Sequence, residues 1–90
     1  MAQAIVNPEE LERFAQQLQH FSDHLKQQTA ILSAGFSHLG ATWRDQEHQK
    51  FAHEYQQTMK VINQFTISTD CHVPFLLRKA KRARDYLSQS

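Results

Sequence analysis

Apolar side chains recur along the first half of this chain at spacings of three and four residues. Leu11, Leu18, Leu25, Leu32 and Leu39 fall at every seventh position, and Phe14 and Phe21 follow the first two leucines by three. Such a stripe keeps one face of a long helix apolar and needs a second helix to cover it. Gln28 falls on the same stripe, where Leu or Phe is expected. Either it fixes register by pairing across an interface or it tilts to solvent.

Local signals bound this first helix. Asn7 is an N-cap, Pro8 fits the first helical position, and Glu10 stands three residues after Asn7 as in a capping box. Val6 and Leu11 are spaced for a hydrophobic staple. The helix is predicted over 8–38, and Gly35 near its end costs about 1 kcal/mol against alanine. Close packing, or loosening before the turn, is the expected reason for it. A turn follows over 39–45, where Gly40 can take the left-handed conformation and Asp45 can cap what comes next. The second helix, 46–70, carries Phe51, Tyr55, Met59, Ile62 and Thr66 on one face, with Phe65 and Thr69 continuing it. Pro74 removes a backbone donor and predicts a kink or a break there, after which the helical period resumes to about residue 87. The fold class is all-α: one domain, an antiparallel helical hairpin with a kinked or broken second helix.

One hairpin has more apolar surface than it can hide. Ile31, Phe36, Phe65, Phe75, Leu76 and Leu77 lie beside or beyond the main stripes, and exposed patches of that size mark interfaces. Two hairpins packed face to face give a four-helix bundle, so a dimer is expected.

Composition narrows the function. Two glycines and two prolines leave little room for the turns of a β-rich fold. Ten basic residues against nine acidic ones give no overall electrostatic case for nucleic acid or membrane. The single cysteine, Cys71, excludes an internal disulfide and is expected to be half-buried. No apolar run approaches a membrane span, and Met1–Val6 lacks the features of a cleavable signal peptide.

Catalytic signatures are missing: no phosphate loop, no paired cysteines, no nucleophile elbow. His20-x-x-Asp23-His24 sets two imidazoles one helical turn apart, but a third ligand is wanting and a solvated helix face is the simpler reading. No metal, cofactor or catalytic residue is expected. The basic run Arg78–Arg84 can touch phosphate or acidic lipid; helix-terminal charge and solubility explain it more simply. Trp43, alone in the interhelical turn, reads as a plug across the end of the helix pair.

Two amphipathic helices, a tryptophan turn near mid-chain, and Phe51 and Tyr55 at helical spacing after it resemble the WXG family of small secreted bacterial proteins. The likeness spans essentially the whole chain, and its specific part is the turn. There Trp43-Arg44-Asp45 replaces Trp-x-Gly, and aspartate can serve as a cap in place of glycine. Relatives often carry a Tyr-x-x-x-Asp/Glu export signal; here Tyr86 is followed four positions later by Ser90 and Tyr55 by Met59. The resemblance implies a non-enzymatic substrate or component of a type VII secretion system, secreted without a cleaved leader, alone or with a partner that carries the signal.

The expected packing and dimer surface is Leu11, Phe14, Leu18, Phe21, Leu25, Leu32, Phe51, Tyr55 and Ile62, with Trp43, Arg44 and Asp45 shaping the turn. The expected partner is an identical chain or a similar small helical protein, together with the secretion machinery. Two rivals use the same fold: a cytoplasmic adaptor or chaperone, and a nucleic-acid or membrane-surface binder acting through Arg78–Arg84.

Overall fold

Two helices account for nearly everything seen in the computed structural model, which describes residues 6–89. Met1–Ile5 and Ser90 lie outside the described residues, and with them most of the segment read for a leader and the residue four places after Tyr86. Helix α1 runs Pro8–Leu39 and helix α2 runs Gln46–Ser88. They pack antiparallel into a rod 67 × 25 × 15 Å, a length set by α2, since 43 residues rise about 64 Å at ~1.5 Å each.

The caps form as the sequence dictates. The Asn7 side chain accepts hydrogen bonds from the backbone N–H of Glu9 (3.0 Å) and Glu10 (3.1 Å), satisfying two of the orphan donors of α1. The end of α1 differs from expectation. Gly40 is right-handed, at φ −61° and ψ −16°, and no described residue has positive φ. The chain turns instead through tightened bonds: Gly40 N–H to the carbonyls of Phe36 and Ser37, Ala41 to His38, and Thr42 and Trp43 to Leu39. Those bonds satisfy the last carbonyls of α1 without a left-handed residue.

Pro74 does not split α2, which stays helical on both sides of it. Val73 and Ala80 are buried and Leu76 is half-buried, so packing against α1 is kept on both sides of the proline. Tertiary contact here outweighs the lost hydrogen bond. Gly35 has no neighbour within 4 Å of where a Cβ would stand, so close packing within the chain is not what places it.

Paired residues fix the register. Glu12 meets Arg84, Phe21 meets Phe65, Lys26 meets Asp70 and Phe36 meets Tyr55, so ascending α1 means descending α2. Carried along both helices, this sets Leu11 level with Ala80, Ala15 with Leu76 and Leu25 with Thr66. Large faces small at each of these levels, which lets two smooth helices approach closely. The fully buried positions are small: Ala15, Ser22 and Ala80 are 0% exposed.

That seam corrects the sequence reading at several points. Leu11, Leu18 and Leu25 do lie along it, half-buried, but Phe14 and Phe21 do not. They stand one residue before Ala15 and Ser22, a rotation of about 100° out of the seam, and are 54% and 55% exposed. Phe51 and Phe65 stand out likewise before Ala52 and Thr66. Gln28 shares this flank and is exposed, the second of its two expected outcomes. Phe36 and Leu76, expected on the outer surface, lie half-buried at seam positions instead. Cys71 is exposed rather than half-buried, because it falls two positions beyond the seam residue Thr69.

Candidate protein interface and tryptophan turn

The seam divides the hairpin into two unlike flanks. On one, Lys26 Nζ holds both carboxylate oxygens of Asp70 at 3.0–3.1 Å, and Arg84 reaches Glu12 at 3.2 Å. Each of these residues sits one position after a seam residue, so the charges line up along one edge. Half-exposed pairs of this kind contribute up to about 1 kcal/mol each and chiefly specify which side of α2 faces α1. A groove of about 330 Å³ opens on this flank between Lys26, Ala30, Ser33, Met59, Ile62 and Asn63. The polar groups at its ends are already engaged: Lys26 with Asp70, and Ser33 with the Tyr55 hydroxyl at 2.9 Å.

The opposite flank is apolar and uncovered. Phe14, Phe21 and Ile31 from α1 join Phe51, Val61, Phe65 and Phe75 from α2, each between 42% and 66% exposed. Helical periodicity puts these α2 residues on one stripe, at successive spacings of ten, four and ten residues. Phe21 and Phe65 already touch edge to face, ring centroids 5.9 Å apart, and bridge the two helices on this side. Monomeric proteins seldom leave a continuous apolar strip of this length facing water. Val61 belongs to it although sequence reading passed over it; its spacing of four from Phe65 was the available signal.

At the closed end of the rod, aromatic rings build a plug. Phe36 stacks on His48 (5.3 Å, interplanar 10°) and on Tyr55 (4.6 Å, 29°), and tilts against Phe51 at 5.6 Å. Trp43 closes over them, edge-on to His48 at 4.9 Å and tilted on Phe51 at 6.1 Å. The next two residues tie the helix ends together. Arg44 Nε donates to the Gly40 carbonyl at 3.0 Å, placing positive charge at the negative end of α1. Asp45 caps α2 by accepting from the His48 N–H at 2.9 Å. His48 thus serves both the cap and the ring stack.

Sequence comparison bears on this turn directly. The model of the family described as proteins of 100 residues with WXG matches residues 3–67, well over half the chain and including Trp43. The chain belongs to that family. Among solved structures, the secreted protein EsxB of Bacillus anthracis str. Sterne has a similar fold. A point mutant of it is 26% identical with TM-score 0.73, covering 93% of this chain and 97% of that one. Its selenomethionine form is likewise 26% identical, with TM-score 0.74 and coverage of 96% and 98%. No curated protein matches this chain.

In this member of the WXG family the motif glycine gives way to Asp45, whose carboxylate is an N-cap. Asp45→Ala is expected to cost about 1 kcal/mol and Asp45→Gly only a few tenths, because glycine leaves the cap open to water. Urea denaturation of the two variants checks the difference. Other candidate chemistry does not assemble. His20 and His24 are exposed, Asp23 accepts from Gln19 at 3.0 Å, and among the described residues no three metal-ligating side chains converge. Within the basic run, Lys81 pairs with Asp85 and Arg84 with Glu12. No helix among the described residues is long and apolar enough to cross a membrane.

Proposed function

We propose that this hairpin is a non-enzymatic cargo or component of a type VII secretion system. It works through protein–protein contact, with its apolar flank covered by another hairpin of the same build to give a four-helix bundle. The observation that carries the reading is the split between the two flanks. One carries the cross-helix ion pairs Lys26–Asp70 and Glu12–Arg84, whereas the other exposes Phe14, Phe21, Phe51, Phe65 and Phe75. Membership of the WXG family and the likeness to secreted EsxB support export. The tryptophan turn and its aromatic plug make the rod rigid enough to travel folded.

Tyr86 lacks an acidic residue four positions on, so the reading assigns the export signal to a travelling partner or to another feature of the assembled bundle. The decisive experiment compares culture supernatants of matched strains with and without a functional type VII apparatus. The chain is expected outside the cell only in the first. Equal supernatant levels in both strains would remove the export reading and favour an adaptor retained in the cytoplasm.

A further inference from the structure

We infer that the open end of α2 docks on the surface of an anionic phospholipid bilayer, through Arg78, Lys79 and Arg82, with Tyr86 seated at the boundary of water and lipid. This contact is independent of the export reading, since the purified chain is enough to measure it.

The structure removes the simplest account of the basic run. A cation stabilises a helix from its last turn, beside the unpaired carbonyls. Helix α2 continues past Pro74 to Ser88, and its last turn holds no basic residue. The run therefore stops short of the helix end that it was expected to serve. Net charge gives no better reason. The chain carries only +1 overall, yet five of its ten lysines and arginines fall within seven residues.

Their placement round the helix leaves three of them unspent. Ala80 is fully buried against α1. Arg78 and Arg82 lie two positions to either side of it, about 160° round the helix, so both face away from α1 and are exposed. Lys79 precedes Ala80 by one and is half-buried, with a stem that carries its ammonium out to water. None of the three forms an ion pair among the described residues, whereas Lys81 pairs with Asp85 and Arg84 with Glu12. Beyond Asp70, Asp85 is the one acid in α2. Glu9 and Glu10 sit in the first turn of α1, where they offset the amide N–H groups of that helix.

Tyr86 follows Arg82 by four on the same side. It is 76% exposed, more than any other large apolar or aromatic side chain among the described residues. The register that sets Leu11 level with Ala80 brings Pro8 level with residue 83, so Tyr86 projects past the start of α1. A phenol so placed suits the headgroup layer, with its ring toward hydrocarbon and its hydroxyl toward water.

Magnitudes favour a bilayer over nucleic acid. Duplex binders typically neutralise about 6–10 phosphates, and three free cations fall short of that. On an anionic bilayer each lysine or arginine near the surface raises partitioning about fivefold, so three raise it roughly a hundredfold. Charge along the rod sets the direction of approach. Around the turn Asp45, Glu47 and Glu54 outnumber Arg44 and Lys50, so a negative surface repels that end and draws the other. The tryptophan turn, at the far end of a 67 Å rod, is left facing water.

Flotation of the unaltered chain with phosphatidylcholine vesicles, with and without phosphatidylglycerol, tests this. Binding is expected only with the anionic lipid and should fade in high salt. Arg78→Gln with Lys79→Gln and Arg82→Gln should lower partitioning about a hundredfold. Lys50→Gln with Lys60→Gln, more than a Debye length from the open end, should change it less than about twofold. Tyr86→Trp in a Trp43→Phe background should shift its emission to the blue on anionic vesicles, while Trp43 of the unaltered chain should not shift. Circular dichroism of each variant confirms that the helices persist.

Equal flotation with neutral vesicles overturns charge as the cause and gives the contact to the apolar flank. A shift of Trp43, or equal loss in the Lys50 and Lys60 variant, overturns the open end as the point of contact. A short DNA duplex that strips the chain from vesicles at equal phosphate concentration overturns the bilayer as the partner. No flotation with anionic lipid overturns the docking outright.

Discussion

Replacing Phe65 with glutamate will leave the helices of the hairpin intact and abolish its pairing. Phe65 is 42% exposed in the single chain and lies in the middle of the apolar stripe, against Phe21. Because much of the ring already faces water, the change removes little of what holds one hairpin together. Its effect falls on the assembly. Covering an aromatic side chain is worth about 1.5–3 kcal/mol, and a carboxylate in its place has to be desolvated without a partner. Between two identical chains the substitution appears twice. The dissociation constant is expected to rise at least a hundredfold, about 2.7 kcal/mol at ~1.4 kcal/mol per decade. Sedimentation measures the association and far-ultraviolet circular dichroism the helix content. Unchanged association would mean that the flank is not the interface; lost helicity would mean that it belongs to the monomer core.

The same residues show how far the sequence could be read. Both helices, the turn, the Asn7 and Asp45 caps and the antiparallel direction were legible, because caps and a 3-4 apolar period are local signals. The faces were harder to assign. Large residues draw the eye to Phe14 and Phe21, yet the α1 side of the seam is built on Ala15 and Ser22, one position away from the obvious pattern, whereas on α2 Thr66 and Thr69 were legible on the packing face and are buried there. Close helix approach selects small side chains there, and small or hydroxylated residues carry almost no weight in a hydrophobic pattern. The large ones were legible as an apolar face but not as the face turned away from the chain's own second helix. Ser22 marks the limit most clearly. It is fully buried and its hydroxyl has no hydrogen-bond partner among the described residues, so no rule of composition would have put it in a core. Of the kink or break that Pro74 predicted, the break does not occur, because a strong local preference gave way to packing on both sides of it.

The turn gives the second large effect, since Trp43 is at once the family's signature and a structural ring. Truncating a fully buried tryptophan costs about 3–5 kcal/mol. Trp43 is half-buried, resting edge-on against His48 and tilted against Phe51, so Trp43→Ala is expected to cost roughly half of that, about 2 kcal/mol. For a domain of this size, ~1 kcal/mol moves the melting temperature by about 4–8 °C, so a fall of roughly 8–16 °C is expected. Trp43→Phe keeps a ring over the plug and should lose less than half as much. The pair of variants separates two roles that the motif alone leaves joined. If Trp43 serves only as a surface read by the secretion machinery, Trp43→Ala will abolish export with the melting temperature unmoved. If the ring is the lid of the Phe36–His48–Phe51–Tyr55 stack, melting falls first, and export recovers in Trp43→Phe to the extent that stability does. The geometry favours the second outcome, because the indole contacts both His48, whose N–H the Asp45 cap holds, and Phe51, which begins the exposed stripe. Loosening the lid therefore frees the start of α2 and, with it, the turn end of the pairing surface.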